Sequence, residues 1–347
     1  MAAVVVAAPI RSRDRFAVLI WVVVGLVCAC CALIASAGTA TLALSGQSAP
    51  GTSGATYASF LPIDLALSRY SAFTSSLGNT TPSMDRAMFL AEGTSVRLVV
   101  REGRAATSGG GTFADFGPPG VHEFGSITFG VNISGGDRAT YRAAPTNVSS
   151  IVLTQVARAP AGAGSMANMS DPAVATDGAA YSAFRSDDGS PAVQQIHRIN
   201  DNNTLQRVAH SGAANLAGGG TVNFGTFGFP TVSGGGTVAF LAQANMTERG
   251  IFATLDGSTF TRVARTGAAA PGGGTFNFLS DPVTNEAGTL AFAAAVPNQK
   301  GIWRGSSEAN LTLIAKQSQP APGGGTFVDF DPARIAREGH EIGRAHV

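Results

Sequence analysis

Short apolar runs alternate along this chain with breaks rich in glycine and proline. In residues 237–243 and 259–265 small apolar side chains partly alternate with polar ones, as they do in half-buried strands. Glycine clusters and prolines interrupt the runs too often for helices to form. The pattern therefore predicts an all-β chain of short strands joined by tight turns.

One phrase recurs along the chain: Val-Ala-Arg, a glycine cluster with Thr-Phe, a proline, and then Ala-Phe. The residue that follows each glycine cluster marks the repeat, and these markers are 51 to 56 residues apart. The markers are Tyr57, Phe113, Met166, Val222, Phe276 and Phe327. A proline follows each marker within a few residues, so several marks share one register. This regularity indicates copies of a single supersecondary unit.

Four short strands in about 50–56 residues is the size of one β-propeller blade. We therefore predict a β-propeller of four-stranded blades that is incomplete at the C-terminus, with a β-solenoid as the alternative. In the fourth unit, strands are expected at residues 237–243, 249–255 and 259–265, and a fourth is expected to start at 275–278. Phenylalanines at fixed repeat positions are expected to pack between blades: Phe113, Phe116, Phe224, Phe227, Phe276, Phe278 and Phe292.

Residues 285–292 read Asn-Glu-Ala-Gly-Thr-Leu-Ala-Phe, and residues 236–240 repeat the second half, with Ser233 in the place of the asparagine. This pattern resembles the bacterial tandem-repeat family named for its NxxGxxAF motif, which is described as carrying a choice of anchor. The resemblance covers about residues 41–340. It implies an exported, surface-associated bacterial protein that ends in a sorting or anchoring segment, and it assigns no activity and no catalytic residue.

The N-terminal segment, residues 1–37, has the features of a secretory leader. Arg11, Arg13 and Arg15 precede an apolar run over residues 16–35, and Ala35-Ser36-Ala37 offers a small-residue cleavage site. The run is also long enough for an uncleaved membrane anchor. The three cysteines, Cys28, Cys30 and Cys31, all lie in this run. The mature chain is therefore predicted to have no disulfide and no cysteine-based site.

Residues 38–340 form the predicted repeat domain, and the sixth unit stops before its Ala-Phe strand. Residues 341–347 back-translate as GAG ATC GGA AGA GCA CAC GTC, which resembles the start of a common short-read sequencing adapter. We predict that these seven residues are not natural protein, and that the natural chain continues with the rest of the unit.

The chain has a formal net charge of +1, and 13% of its residues are charged. No basic patch interleaved with aromatic residues indicates nucleic-acid binding. The expected location is secreted or at the cell surface, with no cofactor. Membrane contact is expected only through the N-terminal segment or a missing C-terminal anchor. The partner is unknown; an anionic glycan or a cell-envelope component is one candidate.

A basic residue ends the strand before the glycine cluster in five units. These residues are Arg101, Arg158, His210, Arg265 and Lys316. In a ring of blades they could form a cationic collar for an anionic ligand. Two alternatives stay open: edge-strand charges that discourage pairing with other sheets, or ion pairs with the aspartates of Asp-Pro turns. The expected pairs are Arg158 with Asp171, Arg265 with Asp281, and Lys316 with Asp331.

The aspartates Asp171, Asp281 and Asp331 each precede a proline, which is typical of turn initiation. A carboxylate ring for calcium is the alternative interpretation. The dispersed histidines lack the spacing of zinc ligands, and no catalytic residue is assigned. We expect an exported, surface-associated repeat protein with a structural or ligand-binding role. The alternative is a propeller enzyme that acts on extracellular polysaccharide.

Overall fold

The computed structural model describes residues 3–7, 39–61, 63–65, 69–147, 150–159, 168–175, 179–187, 193–330, 333 and 345–346. In these ranges the chain forms five successive antiparallel sheets, which confirms the predicted all-β class. The helices in the same ranges are two three-residue 3-10 turns, Pro82–Met84 and Glu308–Asn310. Neither has the length or the hydropathy that a bilayer crossing requires.

Each sheet is a meander in which every strand pairs with the next one along the chain. The first strand is split into two short pieces in four of the sheets, because a proline-containing turn interrupts it.

The first sheet contains Thr56–Phe60 with Asp64–Leu65, Tyr70–Gly78, Arg86–Glu92 and Ser95–Arg101. The second contains Phe113–Phe116 with Gly120–Val121, Ile127–Ile133, Arg138–Asn147 and Ser150–Ala159. The third contains Ala173–Val174, Ser182–Asp187, Gln194–Ile199 and Leu205–His210. The fourth contains Thr221–Phe227 with Thr231–Val232, Val238–Ala244, Glu248–Thr254 and Thr261–Arg265, preceded by an extra strand, Gly212–Asn215. The fifth contains Phe278–Leu279 with Val283–Thr284, Leu290–Val296, Gln299–Gly305 and Thr312–Lys316.

The boundary between units differs from the sequence prediction. Residues 275–278 were expected to start the last strand of the fourth unit, but Phe278–Leu279 pairs with Leu290–Val296 and therefore opens the fifth sheet. Two short pairings flank the array: Thr39–Leu44 pairs with Ala3–Ala7, and Asp329–Phe330 pairs with Ala345–His346. The predictions for the leader and for the C-terminal tail concern residues that lie mostly outside the described ranges.

One cross-strand pair recurs at the centre of every sheet. A phenylalanine on the second strand, which follows an alanine in four sheets and Thr128 in the second sheet, lies opposite an aromatic ring on the third. The pairs are Phe73 with Phe89, Phe129 with Tyr141, Phe184 with His197, Phe240 with Phe252, and Phe292 with Trp303. All ten side chains are buried. The pairing of the third and fourth strands shifts just before the third-strand ring in all five sheets, so the repeat includes a shared β-bulge.

The turn before the second strand explains the spacing of the Asn-x-x-Gly motif. The side chain of Asn285 accepts a hydrogen bond from the Thr289 amide at 2.9 Å, and Ser233 accepts one from the Thr237 amide at 3.0 Å. Gly288 adopts a φ of +76°, which glycine tolerates best. The first motif residue thus closes the turn, and the glycine reverses the chain before the Ala-Phe strand.

The sheets pack on one another in chain order. At the first, third and fourth junctions the third strand of one sheet contacts the first strand of the next. The short second pieces of the first strands, with Ala173–Val174 in the third sheet, touch in succession from the first sheet to the fifth. Apolar clusters fill these junctions. Six of the seven phenylalanines predicted to be core are buried. The prediction is wrong for Phe278, which is 51% exposed, because alternation along its strand buries Leu279 instead.

Candidate functional site at the sheet junctions

The five predicted collar residues all lie at or next to the end of the fourth strand, at one edge of their sheets. Three of them donate hydrogen bonds to carbonyls of the glycine-rich loop that precedes their own sheet. Arg101 binds the Thr52 carbonyl at 2.8 Å, Arg158 binds that of Ser108 at 2.7 Å, and Lys316 binds that of Gly272 at 2.8 Å. These cations therefore hold the glycine loops in place.

The other two collar residues have different contacts. Arg265 lies 3.3 Å from Glu248 and 3.6 Å from Glu308, measured between side-chain nitrogen and oxygen atoms. The Nδ1 atom of His210, an exposed residue, lies 2.7 Å from the Ser211 carbonyl. The anion-binding collar stays a prediction. In the structure, all five of its residues already contact other groups of the chain.

Two of the predicted Asp-Pro pairings are wrong. Arg158 pairs with Asp137 at 2.6 Å rather than with Asp171, and Arg265 pairs with glutamates rather than with Asp281. The reason is their position on neighbouring sheets: each Asp-Pro turn belongs to the first strand of the following sheet, whereas the cation lies on the fourth strand of the sheet before it. First and fourth strands of a sheet are about 14 Å apart at ordinary strand spacing, so the turn lies far from the edge that carries the cation. Asp331, the expected partner of Lys316, lies outside the described residues.

A second set of polar residues, which the sequence analysis missed, connects the sheets. Its members lie three residues before the third-strand ring of each sheet: Arg86, Arg138, Gln194, Arg249 and Lys300. The sequence shows this constant offset from the ring, which could have identified the set. The offset alone could not identify the partners of these residues on the next sheet.

We call the contact that such a residue makes with the next unit a latch. Arg138 donates to Asp171 at 2.6 Å, and Lys300 donates to Asp329 at 3.0 Å. Arg86 forms a direct ion pair with Asp115 in the same way. At the junction of the third and fourth sheets the contact is neutral, since Gln194 Oε1 accepts a hydrogen bond from the Phe227 amide at 2.7 Å.

Glycines make room for the latch between the second and third sheets. A Cβ atom at Gly117 would lie 2.0 Å from Asp171 Oδ1, and one at Gly130 would lie 2.6 Å from the same oxygen. Burial raises the pKa of Asp171, and the charge of Arg138 opposes that rise. No group of three His, Cys, Asp or Glu side chains arranged for a metal ion occurs in the described part of the chain.

The equivalent latch between the fourth and fifth sheets is open. Arg249 and Asp281 occupy the repeat positions of Arg138 and Asp171, yet these two described residues form no direct ion pair. Leu241 stands where the second sheet has Gly130, the position at which a Cβ atom would lie 2.6 Å from the carboxylate oxygen of the closed latch. The alternative acid position, two residues after the marker, holds Phe278 instead of aspartate.

A cavity of about 510 Å³ lies at this open latch. Its wall includes Arg185, Phe229, Gln243, Arg249, Phe278 and Asp281. Two large apolar residues of this wall, Phe229 and Phe278, are 56% and 51% exposed. The two arginines and the single aspartate are the charged side chains of its lining, so the cavity carries a net positive charge.

The electrostatics of the cavity follow from the position of Asp281. Although the residue as a whole is exposed, its Oδ1 atom is packed so closely on Gly228 that a Cβ there would lie 2.0 Å away. This local burial raises the pKa of Asp281, whereas the Phe229 amide, Arg185 and Arg249 oppose the rise. The Arg185 guanidinium lies 5.2 Å from the centre of the Phe229 ring and donates to the Phe227 carbonyl at 2.7 Å.

A family model, described as "Family of unknown function (DUF7453)", matches residues 37–342. The chain belongs to this family. No curated protein matches the DUF7453 chain.

Solved structures resemble the DUF7453 chain at low identity. Prolyl oligopeptidase B from Galerina marginata aligns at 10% identity and a TM-score of 0.44, over 78% of this chain and 36% of the peptidase. The chain thus spans little more than a third of that protein. The α-L-arabinofuranosidase Arb93A from Fusarium graminearum aligns at 9% identity and a TM-score of 0.38, over 79% and 84% of the two chains. A protein from Lactobacillus plantarum aligns at 11% identity and a TM-score of 0.38, over 86% and 78%. These values are too low to transfer an activity.

The DUF7453 chain also buries a polar cluster between its second and third sheets. His122 Nε2 lies 3.0 Å from Thr128 Oγ1, and Ser182 Oγ lies 2.9 Å from the same hydroxyl. Arg142 donates to the Asn200 carbonyl at 2.8 Å. Burial and the nearby Arg142 lower the pKa of His122 to about 3. The cluster joins the two sheets beside the apolar contacts that Met169 and Phe184 make at the same junction.

Proposed function

We propose that this chain is an exported, surface-associated β-propeller protein that binds a ligand at the junction of its fourth and fifth sheets. The observation that carries the proposal is the open latch. Three other junctions are closed by direct ion pairs and one by a neutral hydrogen bond. Only here, among the junctions that the structure describes, do equivalent charged residues face a cavity without pairing.

The propeller arrangement is supported by the succession of like sheets. The short second pieces of the first strands contact one another from sheet to sheet, as they would around a central axis, with the fourth strands at the periphery. Small-angle X-ray scattering tests this arrangement. A compact ring of roughly 300 residues has a radius of gyration of about 19 Å. A clearly larger radius with an elongated distance distribution would favour the solenoid instead.

The export proposal rests on the N-terminal sequence and on the family resemblance. It predicts that the full chain, expressed in a Gram-negative host, reaches the periplasm and loses its leader after Ala37. Sequencing of the exported product from its N-terminus should then begin at Gly38. A product that stays in the membrane with residues 1–37 attached would favour the anchor, and a product that stays in the cytoplasm would contradict export.

A further inference from the structure

We infer that the cavity between the fourth and fifth sheets takes an acidic saccharide, with a uronate carboxylate on Arg249 and a sugar ring against Phe278. This inference rests on the proposed function, because it names the ligand of the same site. It follows from three properties of the cavity: an arginine, Arg249, that forms no ion pair with Asp281, exposed aromatic residues, and hydrogen-bonding groups in the same lining.

The carboxylate specificity follows from the comparison with the closed latch. At the second junction, Arg138 binds the carboxylate of Asp171 at 2.6 Å. At the fourth junction, the same repeat position holds Arg249, and Asp281 does not reach it. A ligand carboxylate can therefore take the place that aspartate occupies elsewhere in the molecule, since guanidinium groups bind carboxylates with two parallel hydrogen bonds.

The saccharide specificity follows from the remaining lining. Phe229 and Phe278 are large apolar side chains that are more than half exposed, and a flat ring accepts the C–H face of a pyranose. Gln243, Ser280 and Asp281 line the same cavity and offer acceptors and donors for hydroxyl groups. The cavity of about 510 Å³ lies within the size range of small-molecule sites.

Leu241 decides whether the site is open. It replaces the glycine through which Asp171 reaches Arg138, and it lines the cavity wall. A glycine at this position should let Asp281 close on Arg249, as at the second junction, and should remove the ligand site without removing any polar group.

The test uses isothermal titration of the full chain with tetragalacturonate at low ionic strength. The carboxyl-reduced galactose tetramer and citrate serve as comparison ligands. We expect tetragalacturonate to bind at least tenfold more tightly than either. Equal binding of the reduced tetramer would overturn the carboxylate assignment, and equal binding of citrate would overturn the saccharide assignment.

Variants identify the site. Arg249→Gln should weaken tetragalacturonate binding about tenfold to a hundredfold, as expected for the loss of one charge-assisted contact. Arg262→Gln, which removes the same charge at a pair with Glu308 away from the cavity, should leave the affinity unchanged. Leu241→Gly should abolish binding, whereas Leu241→Val should retain it. Circular dichroism checks that each variant is folded.

The ligand assignment and the proposed function fail in different ways. An exported, ring-shaped protein that binds none of the three ligands, or whose Arg249→Gln variant binds as the wild type does, overturns only the ligand assignment. A protein that stays in the cytoplasm or scatters as an extended rod overturns the proposed function. Release of reducing ends from the tetramer would overturn a purely binding role.

Discussion

The Arg138 guanidinium lies 2.6 Å from the Asp171 carboxylate, across the junction between the second and third sheets. The pair forms because the chain provides glycine at the two places where the carboxylate crosses. It is partly exposed, so its net contribution to stability is modest. Its main consequence is geometric, since it fixes one sheet against the next at a position that recurs along the chain.

Substitution of the glycine beside this latch should destabilise the protein. In the Gly130→Ala variant, the new Cβ atom would lie 2.6 Å from Asp171 Oδ1. We expect the free energy of unfolding to fall by about 1 kcal/mol, because the Asp171 carboxylate must move away from Arg138 and a partly exposed ion pair contributes no more than that. Urea unfolding followed by Trp303 fluorescence measures the change. The control is Gly235→Ala, where the nearest atom would be 3.7 Å away, and an equal effect of both variants would contradict the crossing argument.

The stability of the protein should fall in mild acid because of a buried histidine. His197 occupies the position of the third-strand ring, stacks on Phe184 at 5.3 Å, and has no hydrogen-bond partner at either ring nitrogen. Burial lowers its pKa to about 4, and the nearby Arg207 adds to the effect. The folded state therefore excludes a proton that the unfolded chain binds below about pH 6.5. The contribution of the neutral His197 to stability is fully present above that pH and is lost as the pH falls towards 4.

His197→Phe tests this dependence, because the other sheets carry Phe, Tyr or Trp at the same position. We compare the stability advantage of the variant over the wild type at two pH values. This advantage should be about 2–3 kcal/mol larger at pH 4.5 than at pH 7.5. Urea unfolding at the two pH values measures the difference. His122, whose pKa is also lowered, should leave some acid sensitivity in the variant. An unchanged difference between the two pH values would exclude His197 as a source.

Loss of a fourth-strand cation should loosen its glycine loop. Arg158 donates to the carbonyls of Ser108 and Gly110 at 2.7 and 3.0 Å. In Arg158→Gln, hydrogen exchange of residues 108–111 should therefore accelerate. Arg265 makes its ion pairs with glutamates, so Arg265→Gln should leave exchange in residues 218–220 unchanged. The same two variants test the predicted collar, since an unchanged affinity for anionic glycans would remove it.

The turn residue of the Asn-x-x-Gly motif should contribute measurably to stability. Asn285 is 6% exposed and accepts the Thr289 amide through its side chain. Asn285→Ala leaves that amide without its partner, at a cost of about 1–3 kcal/mol. Asn285→Ser should cost less, because Ser233 fills the same role in the fourth sheet. Thermal unfolding compares the two variants. Equal destabilisation by Asn285→Ala and Asn285→Ser would contradict this role of the side chain.

The repeat marks predicted the all-β class and most of the core phenylalanines, because glycine, proline and alternating residues act locally. They placed the boundary between sheets one strand too late, since a strand after a glycine cluster can pair with either neighbour. Phe278 was assigned to the core by its repeat position, but its strand turns Leu279 inward.

The sequence by itself determined the unit, its length and the turns that separate its strands, since these follow from backbone preferences of nearby residues. Only the tertiary structure decided which charges meet. Arg138 and Asp171 lie far apart in the chain and pair, whereas Arg249 and Asp281 have the same spacing pattern and do not. The difference depends on whether glycine or Leu241 fills the space between two packed sheets, and such a volume exists only after the sheets have come together.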